Sequence, residues 1–345
     1  MKSRLEETEG REMKGLAKKK AQPQPSAEQE EPKKSKRRAP RVVVDPRVME
    51  RSLAHVHRVL EERAPETPEE AQAILDELMA SGEIPQVPPR SPLEQAQEIM
   101  YDAWEARGAK RAKLAREALK VSPDCADAYV LLAEETARTA QEAHDLFEQG
   151  VKAGERVLGA RMFQEEAGNF WGILETRPYM RARAGLAWSL WAMGKRQEAI
   201  DHLWDLLRLN PNDNQGNRYA LMAWLLATGD DAGARRLLDQ YADDPSAGWA
   251  YNRAILLFRK VGDTAKSSRA LDKALGMNPF VPLYLIGVKA MPSRMPGFVQ
   301  PGGESEAIEY VGITWEVWFE TPGALDWLVN ALDRKIAALE AKLRR

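Results

Sequence analysis

"MRARAGLAWSLWAMGKRQEAIDHLWDLLRLNP", residues 180–211, decides the fold of this 345-residue chain. Apolar residues recur every three or four positions on both sides of Gly194, and Asn210-Pro211 closes the run. That spacing is the 3.6-residue period of two amphipathic helices with a tight turn between them. Leu186, Leu190, Leu203 and Leu206 form the apolar seam, and the small residues Ala187 and Ala199 fall where two helices would cross closely.

The pattern recurs outward from this stretch. Pro211, Pro245 and Pro279 stand 34 residues apart, twice over. Gly194, Gly229 and Gly262 are spaced by 35 and 33 residues, each between two helical stretches. Ala199 and Ala234 each follow a Gly by five residues, with Ser267 in the equivalent place of the third unit. A unit of helix, Gly turn, helix and Pro at this period resembles the tetratricopeptide (TPR) repeat. Two degenerate units precede the clear ones, over 91–123 and 124–155. The expected fold is all-α: a right-handed α-solenoid of about five TPR-like helix pairs over 91–279, with capping helices over 280–345.

One interruption breaks the array. Pro123 and Pro178 are 55 residues apart, about 21 more than the period, and the excess (about 156–178) contains "FQEEAGNFWGILETRPYM". Such insertions often lie on a binding face or stabilise a junction. N-terminal to the array, Thr67-Pro68-Glu69-Glu70 and Ser91-Pro92-Leu93-Glu94 each write a helix start: a hydroxyl cap, Pro at the first position, Glu three residues on. Residues 47–90 are thus read as helices followed by the proline-rich joint "EIPQVPPR", with order beginning near Val48.

Net charge is −2, which hides an asymmetry. Residues 1–41 hold 13 Lys and Arg against 7 Glu, a net of +6, so the rest carries −8. Residues 1–46 have too few large apolar side chains to offset ordering entropy and are expected to be a disordered basic tail. "KKSKRR" (33–38) could serve nuclear import or nucleic acid, but flanking acidic residues and the lack of interleaved aromatics favour a solvated tail. Nucleic acid is not an expected partner except through that tail.

Two further blocks narrow the reading. "DAYVLLAEETARTAQEAHDLFEQGVKAGE" (127–155), and "NPFVPLYLIGVKAMP" with "GGESEAIEYV" and "TPGALDWL" (278–328), resemble the suppression-of-tumorigenicity family numbered seven and its bacterial TPR relatives. The resemblance spans roughly 91–328. Eukaryotic members of that family carry membrane-spanning segments. No apolar run here approaches the ~20 residues that span a bilayer, so membrane residence is not carried over. The resemblance implies no catalytic activity and no ligand residue.

The search for chemistry returns little. Cys125 is the one cysteine, which excludes an internal disulfide framework and suits a reducing, cytoplasmic setting. It follows "SPD" at a helix start, where a thiol can be activated, but a structural role is the favoured reading. His55, His57, His144 and His202 are too scattered for a metal site. No phosphate-loop, nucleophile-elbow or dinucleotide motif is present. The stretch "RLNPNDNQGNRY" (208–219) has the composition of a calcium loop but not its ligand spacing, so it reads as a unit boundary whose Asn and Asp cap the next helix. "PGGESE" (301–306) likewise reads as a helix cap. No metal or cofactor is expected.

The N-terminus has charges but no apolar stretch, so no signal peptide is expected. The function expected is non-catalytic protein–protein interaction. TPR first helices face a concave groove, and counting their inward positions selects Arg181, Trp188, Arg218, Trp249 and Asn252 as groove candidates. Arg and Asn suit carboxylates and peptide backbone, and Trp supplies apolar anchoring. The competing view of each Arg is a surface ion pair. The alternative function is an enzyme or enzyme subunit with a pocket at residues 170–183.

Overall fold

The computed structural model describes Arg47 and residues 49–344, so the expected disordered tail and Val48 lie outside the described residues. Fifteen α-helices and no strand occur among them. Two helices come first, α1 (Met49–Arg63) and α2 (Pro68–Ser81). Thr67 caps α2 by accepting from the Glu70 N–H at 3.2 Å, and Gly82 ends it in the left-handed region at φ 67°. The proline-rich joint follows, and Ser91 then caps α3 by accepting from the Glu94 N–H at 3.1 Å. Both starts are where the Thr/Ser-Pro-x-Glu pattern puts them.

Ten helices then run in sequence: α3 (Pro92–Glu105), α4 (Ala109–Val121), α5 (Ala126–Thr136), α6 (Ala140–Glu165), α7 (Arg177–Ala192), α8 (Arg196–Leu209), α9 (Asn217–Ala227), α10 (Asp231–Gln240), α11 (Ala247–Val261) and α12 (Ala265–Met277). Consecutive helices pack as α3 on α4, α5 on α6, α7 on α8, α9 on α10 and α11 on α12. Gly194, Gly229 and Gly262 occupy the turns of the last three pairs at φ 79°, 78° and 66°. Only glycine takes that backbone region without a steric penalty, which is why it recurs there. Ala187, Ala199 and Ala234 are fully buried at the crossings. Ser267 closes a reciprocal capping box with Thr264 at the start of α12.

The interruption is built differently from a loop. Its first part simply prolongs α6, which breaks at Gly159 (φ 64°, ψ 161°). Two short 3₁₀ turns, Phe170–Gly172 and Leu174–Thr176, then lead into α7. Phe170 is buried edge-on against Tyr179 and tilted against Phe163. The Thr176 hydroxyl donates to the carbonyls of Phe170 and Ile173. The Gly168 N–H donates to the carbonyl of Leu209 at 3.0 Å, which ties the segment to the end of α8. α6 and α7 cross closely: a Cβ on Gly154 would come within 2.7 Å of the Tyr179 Cβ.

The C-terminal segment does more than end the array. It comprises α13 (Val281–Leu285), α14 (Glu304–Glu320) and α15 (Ala324–Leu343). α14 packs against the first helices of two pairs, α9 and α11, while α15 packs on α12 and α14. The helix start at "PGGESE" is a cap, made by the Glu306 side chain. Its carboxylate accepts from the Gly302 N–H at 2.8 Å, the Ala247 N–H at 3.0 Å and Asn278 Nδ2 at 3.0 Å. One buried carboxylate thereby pins α14 to the start of α11 and the end of α12.

The core has two parts that meet at α5. One holds Met100, Tyr101, Trp104, Cys125 and Leu131; the other runs from Val130 through α7–α12 to Trp327. No helix among the described residues is long and apolar enough to cross a membrane.

Candidate functional site

Arg181 lies in the second turn of α7 and is only 11% exposed. Its Nε donates to Asp127 Oδ1 at 2.8 Å and its Nη2 to Asp127 Oδ2 at 2.7 Å. Its Nη1 donates to Glu50 Oε1 of α1 at 2.9 Å. The guanidinium carbon also sits 5.6 Å from the centroid of the Trp104 ring. Burial works against its charge, but Asp127 and Glu50 outweigh burial and hold its pKa above the usual arginine range.

Arg218, in α9, has its own set. Its Nε donates to Asp244 at 2.7 Å, its Nη1 to Asp213 at 3.0 Å and its Nη2 to the Tyr219 hydroxyl at 2.7 Å. Asp213 also accepts from the backbone N–H groups of Asn217 and Arg218, at 2.7 and 2.9 Å. The stretch 208–219 is therefore a helix cap built on one buried aspartate. Asp213 adopts φ 50°, a conformation that Asn and Asp tolerate better than other residues with a Cβ. Burial pushes its carboxyl up, against the bonds it accepts.

Trp249 is buried, with the rings of Tyr219 and Tyr241 edge-on at 5.8 and 6.3 Å. Asn252 is buried beneath α14, where its Oδ1 accepts from the Tyr310 hydroxyl at 3.2 Å and that oxygen accepts from Trp318 Nε1 at 2.9 Å. Three of the groove candidates, Arg181, Arg218 and Asn252, are thus held by other parts of the chain. Each is satisfied by separate partners, two of them carboxylate sets and the third a helix laid across α9 and α11. Repeat counting places these residues on first helices, but it does not see what the rest of the chain sets against them.

Trp188 is the exception, at 45% exposed. Its inner edge meets Trp224 at 5.0 Å, and Trp224 stacks on Trp191 at 4.6 Å. Trp188 borders a shallow cleft between the tip of the α5–α6 pair and α7, with Ala137, Ala140, Ala143 and Phe147 on the other side and Arg138 at the rim.

A second concavity lies where α1 meets α3, α6 and the start of α7, a cavity of about 280 Å³. It touches Leu174, Glu175, Pro178 and Tyr179, within the 170–183 segment of the enzyme reading. Most of its carboxylates already face cations: Glu50 meets Arg177 and Arg181, Glu94 and Glu98 meet Arg58, Glu61 meets Arg90, and Asp124 meets Arg156, while Glu175 lies beside the His57 ring. Cys125 is fully buried, and burial together with Asp127 pushes its thiol up to about 12. At neutral pH it is a protonated, inert thiol. Among the described residues no group of three or more His, Cys, Asp or Glu could hold a metal ion.

The residues that organise these sites are mostly ones the repeat pattern passes over: Glu50, Asp127, Asp213, Asp244 and Glu306. Asp213 carried a signal, since it stands in a cap-rich boundary. Glu50 carried none, because its partner is 131 residues away.

The comparisons with known proteins agree with the blocks that carry the resemblance. The family model described as "ST7 protein" matches residues 90–339. A suppressor of tumorigenicity 7 protein-like from Bos taurus is 32% identical over 253 residues, covering 67% of this chain and 45% of that protein. A suppressor of tumorigenicity 7 protein from Macaca fascicularis is 30% identical over 283 residues, covering 68% of this chain and 52% of that protein. The Homo sapiens protein-like relative is 31% identical, with 67% and 44% covered. The chain thus spans about half the length of the curated relatives it matches. With more than half of its residues matched by the family model, and with relatives at 30% identity or more covering two thirds of it, this chain belongs to the ST7 protein family.

Proposed function

We propose that this chain is a non-catalytic scaffold of the cytoplasm, a right-handed solenoid of five TPR-like helix pairs that holds a protein or peptide partner. The repeat reading is supported by the 34-residue spacing, the left-handed glycines at three turns and the buried alanines at the crossings. The non-catalytic reading is supported by the pairing of the cavity carboxylates and by the protonated Cys125.

The observation that carries the interaction reading is Trp188. A tryptophan half open to solvent beside a cleft of small side chains is the kind of anchor that concentrates binding energy. Arg138 at the rim adds a positive charge, so the segment that fits is an apolar side chain followed closely by a carboxylate. The test places a photo-crosslinking residue at position 188 of the full chain in its native host. A discrete crosslinked partner is expected, together with loss of that partner's association in Trp188→Ala at unchanged melting temperature. Association that survives Trp188→Ala undiminished would sink this reading.

A further inference from the structure

We infer that α1 is a releasable occupant of a helix-binding face formed by α3, α5 and α7, and that the face accepts a helix of another protein carrying the same charge pattern. The inference is independent of the Trp188 cleft. It rests on how α1 is held.

One side of α1 carries Glu50, Arg51, Ala54 and Arg58, at the spacings that place side chains along one helix face, and Arg47 precedes the helix. The receiving face carries the opposite sign at each charged position. Arg47 meets Glu134 of α5 at 3.2 Å. Glu50 meets Arg181 and Arg177 of α7 at 2.9 and 3.3 Å. Arg51 meets Glu98 and Asp102 of α3 at 3.1 and 3.0 Å, and Arg58 meets Glu98 again. The guanidinium carbons of Arg47 and Arg51 also lie over Trp104 and Tyr101, at 5.1 and 6.0 Å.

Apolar burial contributes little to this contact. Val59 is the one buried hydrophobic residue of α1, while Met49 and Leu53 face solvent. The cavity of about 280 Å³ borders this contact, with Glu50, Ala54 and Arg58 among its lining. α14 is the contrast: it covers α9 and α11 with Ala307, Tyr310, Val311, Val317 and Trp318, all buried. The partly exposed pairs Arg47–Glu134 and Arg51–Asp102 are weakened by salt, the buried Glu50–Arg181 pair less so, whereas buried apolar area is not screened by salt.

Two further observations favour release. The two receiving arginines keep internal partners without α1, since Arg181 retains Asp127 and Arg177 donates to the Trp171 carbonyl at 3.0 Å, whereas Glu98 is paired from α1 by Arg51, His55 and Arg58. The joint to α3, residues 82–90, is proline-rich and non-helical, so α1 and α2 form an arm on a tether. The family match begins at residue 90, which places the receiving residues inside the shared body and the arm outside it. A partner helix suited to the face has a carboxylate for Arg177 and Arg181, an Arg three residues before it, and Arg one and eight residues after it.

The test uses the full chain and a fluorescent synthetic peptide of residues 45–64 as the probe. The variant Glu50→Ala/Arg58→Ala loosens α1 in cis and leaves the receiving face intact. The peptide should bind this variant about ten-fold or more tighter than the wild-type chain, and raising NaCl from about 0.05 to 0.5 M should weaken binding at least about ten-fold. A peptide with the same two substitutions should not bind. In the wild-type chain, amide hydrogen exchange across residues 49–63 should run about ten-fold faster than across α7 and accelerate with salt. Equal peptide affinity for both chains, salt-independent binding, or exchange in α1 as slow as in α7 would each overturn the inference. A wild-type dimer that the peptide dissociates would identify a second copy as the occupant and overturn the partner-helix reading.

Discussion

Arg181 and Asp127 meet through two parallel hydrogen bonds, Nε to Oδ1 at 2.8 Å and Nη2 to Oδ2 at 2.7 Å, joining α7 to α5 across 54 residues of sequence. Asp127 is fully buried, and Gln97 Nε2 of α3 donates to the same carboxylate at 2.9 Å. This pair therefore locks the first helices of three successive pairs together. A bidentate guanidinium–carboxylate pair in such a setting is a structural clamp, so it cannot be removed as an exposed ion pair could.

Asp127→Ala should accordingly cost about 3–5 kcal/mol, because it leaves a nearly buried guanidinium without its main partner. Replacing both members, Arg181→Met with Asp127→Leu, should recover most of that loss. Urea unfolding of the two variants decides it, and a loss under about 1 kcal/mol for Asp127→Ala would show that the clamp is slack.

Two helical glycines should respond with opposite sign. A Cβ on Gly185 would stand 2.2 Å from the Phe147 ring, so Gly185→Ala should destabilise by about 1–3 kcal/mol. Gly276 lies in the last turn of α12 with nothing within 4 Å of a new Cβ, so Gly276→Ala should stabilise by about 0.5–1 kcal/mol. Differential scanning calorimetry should move the two melting temperatures in opposite directions; a shared direction would contradict the packing described.

Ala199→Leu should destabilise by about 1–3 kcal/mol through overpacking, since Ala199 is fully buried where α8 meets α7. A melting temperature equal to that of the wild type would mean that the crossing yields to the larger side chain.

His202 should titrate below the usual histidine value of 6.5, because burial and the Arg183 guanidinium both disfavour its charged form. Arg183 Nε donates to His202 Nδ1 at 3.1 Å, which requires that nitrogen to be unprotonated. The unfolded chain therefore takes up this proton at higher pH than the folded one. Stability falls as pH drops from above 6.5 towards the folded value, and the loss is complete below it. NMR titration should give His202 a midpoint below 6.5, and Arg183→Ala should raise it. A midpoint at or above 6.5 in the wild-type chain would refute the assignment.

The sequence by itself determined the all-helical class, the starts of α2 and α3 and the glycine turns of three helix pairs. Helix period, Thr67 and Ser91 caps, Gly194, Gly229 and Gly262 turns, and Ala187, Ala199 and Ala234 crossings are local: each depends on neighbours within a few dozen residues. Even the boundary at Asp213 was legible as a cap from its composition. Tertiary structure alone decided which of the marked side chains stayed open. Repeat counting ranked Arg181, Trp188, Arg218, Trp249 and Asn252 alike, because it reports only the face of the helix each occupies. Arg181 is closed by Glu50 from 131 residues before it, and Asn252 by Tyr310 from 58 residues after it. Those partners come from helices outside the repeat period, so no local pattern encodes them. Burial of a charge or amide is settled by whichever distant groups can satisfy it, and only the folded chain brings those groups within hydrogen-bond reach.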